Sequence, residues 1–77
     1  MTDRSKFVYV VNRNGKKLYE VAAAMGISPQ SLSYKLGNTY PFTAAEMNKF
    51  REMFPDVTPE EFQSIFFAAE LAAEANA

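Results

Sequence analysis

Apolar residues recur along this chain at helical spacing, in five stretches separated by turn residues. In Leu18–Met25 they fall at Leu18, Val21, Ala22 and Met25, an i, i+3, i+4, i+7 stripe that predicts one buried helix face. Gly26-Ile27-Ser28 follows. Gly26 suits a left-handed helix end, and Ser28-Pro29 is a helix start with a hydroxyl cap and proline at the first position. Leu32 and Leu36 then give a helix from Pro29 to about Gly37 its apolar side. Two short helices with a tight corner are predicted over Leu18–Leu36.

The flanks extend the pattern. Lys6–Arg13 is ambiguous: Val8, Val10 and Val11 favour a strand, while Phe7, Val10 and Val11 keep helical spacing. No second strand candidate exists to pair with it, so a helix is expected, ended by Asn14-Gly15. Residues 1–5 are polar and are expected to be disordered. Tyr40-Pro41-Phe42 should be extended, with Phe42 in the core. Thr43-Ala44-Ala45-Glu46 reads as a capping box, starting a helix that buries Met47, Phe50 and either Met53 or Phe54 before Pro55 stops it. Thr58-Pro59-Glu60-Glu61 is a second box. Its helix is expected to reach about Glu74, with Phe62, Ile65, Phe66 and Ala69 facing the core. Phe67 and Leu71 would project nearly opposite and are the expected interface of a two-fold dimer.

The spacing Ala22-x3-Gly26-Ile27-Ser28-x3-Leu32-Ser33-x2-Leu36 resembles the helix-turn-helix of Cro and other phage-repressor-like (Xre-class) DNA-binding proteins. The resemblance runs from about Lys6 to Phe67. The Leu36-Gly37-Asn38 and Pro41-Phe42-Thr43 strings and Ile65-Phe66-Phe67 also look like this class. It implies an all-α, five-helix lambda-repressor-like domain over 6–67, with a C-terminal helical extension over 68–77. It also implies a small phage or prophage transcriptional regulator, repressor-like, that binds double-stranded DNA as a homodimer. The helix 29–36 would enter the major groove, with half-sites about one DNA turn apart.

Four residues would then face bases: Pro29, Gln30, Ser33 and Tyr34. Gln30 has the chemistry to pair bidentately with adenine, Ser33 to donate or accept, and Tyr34 to touch a thymine methyl. No arginine lies on this face, so an A·T-leaning half-site is expected. Phosphate contacts are expected from Lys16, Lys17, Ser28, Ser31, Lys35, Asn38 and Thr39. Lys16 and Lys17 oppose the macrodipole at the start of their helix, so helix stability does not explain them. One departure stands out. Family members often carry a cap residue and then Gln where this chain has Lys17 and Leu18.

Charge is divided. Residues 1–40 hold six Lys and Arg against two acids, and residues 41–77 hold two against seven, within a net charge of −1. The basic half coincides with the helix-turn-helix, as suits one face meeting phosphates. The 77-residue chain has no Cys and no His, which excludes disulfides, thiolate metal sites and the usual general base. Ser28, Ser31 and Ser33 have no His to activate them, and no carboxylate pair, glycine-rich phosphate loop or metal-binding cluster appears. An enzyme is not expected, nor a cofactor or small-molecule ligand. No membrane-length apolar run or signal peptide is present, so the bacterial cytoplasm or nucleoid is the expected location. A second reading stays open: a protein-interaction module or antirepressor on the same scaffold, engaged through its acidic half.

Overall fold

The computed structural model describes residues 1–69. These form five helices and no strand: α1 Arg4–Arg13, α2 Leu18–Met25, α3 Pro29–Leu36, α4 Ala44–Met53 and α5 Pro59–Phe66. Helix α2 packs on α1, α3 and α4, while α5 closes the domain against α1. The ambiguous Lys6–Arg13 stretch is helical, with Phe7, Val10 and Val11 fully buried. In place of the strand that its valines favour, the helix gives all three one core face.

The core is aromatic. Phe7 lies 4.8 Å from Phe50 between ring centroids, Phe50 lies 5.2 Å edge-on from Phe66, and Phe42 lies 5.3 Å from Phe66. Such offset and edge-on geometry is favoured by the ring quadrupoles. Phe54, not Met53, is the fully buried residue at the end of α4. Val21 and Ala22 are fully buried at the centre of the α2 stripe, with Leu18 and Met25 packed at its edges. The corner forms as its residues dictate. Gly26 takes φ +76°, and the Ser28 hydroxyl accepts from the Ser31 N–H at 3.0 Å. Helices α2 and α3 in contact across this corner make a helix-turn-helix.

Three expectations are corrected. Residues 1–5 are not loose. Asp3 caps α1 by accepting from Lys6 N–H, its own N–H donates to the Ile65 carbonyl at 2.7 Å, and Thr2 is buried. Backbone pairing to α5 supplies the order that composition could not indicate. Secondly, the last helix is interrupted: α5 ends at Phe66, residues 68 and 69 are helical again, and Glu74 lies outside the described residues. Phe67 leaves helical geometry (φ −128°, ψ 39°), and the Ala68 N–H donates to the Met1 carbonyl rather than continuing α5. That break turns Phe67 onto the domain, 6.3 Å from the Phe62 ring, and leaves Ala69 exposed rather than in the core. Thirdly, the second capping box is half made. Thr58 accepts from Glu61 N–H, but the Glu61 carboxylate binds Arg13, whose two charged donors outcompete one backbone N–H. The left-handed residue after α3 is Asn38 at φ +64°, with Gly37 at −84°.

Candidate nucleic-acid interface

The outer face of α3 is open. Pro29, Gln30, Ser33 and Tyr34 are all exposed, while Leu32 and Leu36 are 1% and 2% exposed on the opposite side. Helical periodicity in this eight-residue helix produces this division, and α2 holds the apolar side. Two of the four outward residues are not independent. The Gln30 Nε2 donates to the Tyr34 hydroxyl at 2.9 Å, and the Tyr34 ring stands edge-on to Tyr40 at 6.0 Å.

Lys16 and Lys17 are exposed just ahead of α2, and neither makes a hydrogen bond or ion pair through its ammonium group among the described residues. Glu20 offsets the unfavourable lysines: its carboxylate accepts the Lys17 backbone N–H at 3.0 Å and caps α2. A lysine side chain cannot accept in return, so the cap is one-sided. The sequence reading left Glu20 outside any role, although its place three residues after Lys17 is the capping-box spacing.

Arg4 is the other missed residue. It lines a small cleft of about 70 Å³ with Leu18, Pro29, Leu32 and Ser33, so α1 brings an exposed arginine beside the starts of α2 and α3. Arg4 has no ion-pair partner among the described residues. No local pattern marks it, because only the packing of α1 carries it there.

Other expected phosphate ligands are placed differently. Lys35 is a correction. Its ammonium lies 2.5 Å from Glu46 Oε1 and 2.7 Å from Oε2, with the two side chains 14% and 10% exposed. The pair joins α3 to α4, because Lys35 lies toward α4 rather than on the outer face. Burial pushes the Glu46 carboxyl up, but the hydrogen bonds from Lys35 and Thr43 outweigh it and hold the group below its ordinary value. Asn38 is a second correction. Its amide accepts from Thr2 N–H at 2.8 Å and donates to the Thr2 carbonyl at 3.1 Å, so it ties down the N-terminal segment instead of offering itself outward. The Ser28 hydroxyl is engaged twice, accepting from the Ser31 backbone and donating to the Ser31 Oγ. Ser31 retains its own hydroxyl proton, and Thr39 is exposed, its hydroxyl without a hydrogen-bond partner among the described residues.

The basic charge of residues 1–40 is therefore not all at this face. Arg13 sits at the far end of α1, bidentate to Glu61 at 2.8 and 3.0 Å and 2.7 Å from Asp56. Those bonds, Glu61 first, raise the guanidinium above its ordinary range. Of the predicted dimer residues, Phe67 is turned onto Phe62, and Leu71 lies outside the described residues. Among the described residues, no group of three or more acidic side chains is placed to hold a metal ion, and no helix is long and apolar enough to cross a membrane. In comparisons with known proteins, no family model, curated protein or solved structure matches the chain.

Proposed function

We propose that this protein binds double-stranded DNA sequence-specifically, as a small repressor-like transcriptional regulator of the phage or prophage kind. In this reading α3 enters the major groove. The observation that carries it is one surface on which an uncovered helix face meets unpaired cations. Pro29, Gln30, Ser33 and Tyr34 point outward, and Arg4, Lys16 and Lys17 flank them without carboxylate partners among the described residues. Unpaired cations at the starts of α2 and α3 add to the positive ends of both helix dipoles, which suits phosphate on either side of a groove. Gln30, Ser33 and Tyr34 then supply donors and acceptors for base edges. No arginine on α3 and a glutamine at its second position favour an A·T-leaning half-site. Action by a homodimer in the bacterial cytoplasm or nucleoid completes the reading. No cofactor is needed, because occupancy of an operator is the whole action.

The runner-up is a protein-interaction module or antirepressor. The observation in its favour is the neutralisation of Arg13 and Lys35 by Asp56, Glu61 and Glu46, which weakens the positive field. Selection from a library of random duplexes separates the two. Enrichment of a common half-site, A·T-rich where Gln30 reads, is the expected result. A library that returns no shared sequence, with only unselective retention, contradicts the DNA reading and turns attention to a protein partner for the acidic half.

A further inference from the structure

Tyr40 lies outside the helix-turn-helix, yet three features fix it against the exposed face of α3. The Thr39 N–H donates to the Tyr34 carbonyl at 2.9 Å, which closes the chain back onto α3. Pro41 restricts the backbone of Tyr40, and Phe42, two residues on, is anchored in the core at 9% exposure. The Tyr40 ring is thereby held edge-on to Tyr34, 6.0 Å between centroids and 79° between planes. Both tyrosines nonetheless remain open, at 57% and 44% exposure. They are an ordered aromatic pair on the surface, not part of the core.

The hydrogen bond from Gln30 extends this pair into a chain of three. A free glutamine samples many rotamers and loses them on binding. Here one Nε2 hydrogen is committed to the Tyr34 hydroxyl, leaving the second hydrogen and Oε1 for a base. The Tyr34 oxygen, having accepted, keeps its own proton for an acceptor nearby. We propose that Tyr40 is a positioning residue for specificity: through the edge of its ring it holds Tyr34, and through Tyr34 it holds the Gln30 amide in the orientation that reads adenine. This rests on the DNA-binding reading. The role belongs to the ring of Tyr40 and not to its hydroxyl, which makes no hydrogen bond among the described residues.

The test uses the full chain and its Tyr40→Ala, Tyr40→Phe and Tyr34→Phe variants, each checked for native helicity and melting temperature. Without DNA, the Gln30 side-chain amide is followed by NMR. Its resonances are expected to move toward free-glutamine values in Tyr40→Ala and Tyr34→Phe, and to stay in place in Tyr40→Phe. With DNA, affinity is measured for a duplex enriched by the wild type and for a scrambled duplex. Tyr40→Ala is expected to lower the ratio of the two roughly tenfold, while binding to the scrambled duplex and its salt slope are unchanged. Tyr40→Phe is expected to keep the wild-type ratio. The proposal is overturned by an unmoved Gln30 amide in Tyr40→Ala, by an unchanged ratio, or by Tyr40→Phe losing as much as Tyr40→Ala. A wild type that prefers no duplex, with the amide coupling intact, overturns it in a different way, by removing the DNA reading beneath it.

Discussion

Two sets of cations in the N-terminal half of this protein have opposite fates. Arg13 and Lys35 are drawn into the acidic half. Arg13 grips Glu61 and Asp56 across α1 and α5, and Lys35 is nearly covered against Glu46 between α3 and α4. Among the described residues Arg4, Lys16 and Lys17 have no such partners, and all three stand at a helix start, where positive charge is unfavourable. Charge counted along the chain treats these sets alike. The structure separates them: paired cations hold elements together, and unpaired cations grouped beside an open helix face point to a ligand. The functional signal is therefore smaller than the composition implies, but more localised.

The largest expected contrast is in stability. Lys35→Ala leaves the Glu46 carboxylate nearly buried without its cation, and should cost about 3 kcal/mol in urea unfolding. The Lys35→Met/Glu46→Gln double variant should recover most of that loss. Lys16→Ala/Lys17→Ala should move the melting temperature by no more than about 2 °C. A neutral Lys35→Ala would erase the distinction between the two sets. Next is the corner that fixes α3 against α2. Gly26→Ala finds open space for its Cβ, so its cost is the left-handed backbone alone, about 1 kcal/mol by the same assay. The smallest effect is in pH dependence. Glu46 has a folded value below its ordinary 4.5, so its contribution is complete above about 4.5 and is lost as pH falls through the folded value. Acid unfolding of Glu46→Gln should lack that part of the acid limb. An unchanged limb would mean that Lys35 and Thr43 do not hold the carboxylate.

Local signals made the corner legible. Gly26, Ser28-Pro29 and the Leu32/Leu36 pair each act within a few residues, and all appear in the fold as their chemistry requires. The start of α4 was legible for the same reason, with Thr43 and Glu46 capping one another. What escaped depends on distance in sequence. Nothing near Asn38 indicates that Thr2 will occupy its amide from 36 residues away, and nothing near Arg4 indicates that it will line a cleft with Pro29. The end of α5 was misread because Phe67-Ala68-Ala69 contains no helix breaker. The bond from Ala68 N–H to the Met1 carbonyl and the packing of Phe67 on Phe62 interrupt the helix at Phe67, and helical geometry returns at residues 68 and 69, as the sequence favours. Lys35 was misassigned because Glu46 looked fully explained as a cap, while its carboxylate serves the cap and the lysine together.

The most direct test of this account is the salt dependence of binding to mixed-sequence duplex DNA, for the wild type, Lys16→Ala/Lys17→Ala and Arg13→Ala. The account predicts a steep fall of log K with log salt for the wild type. It predicts a slope shallower by about one to two units for the lysine pair and no change in slope for Arg13→Ala. Wild-type binding no tighter than ~100 μM at low salt, or a slope that Arg13→Ala flattens as much as the lysine pair does, would contradict it.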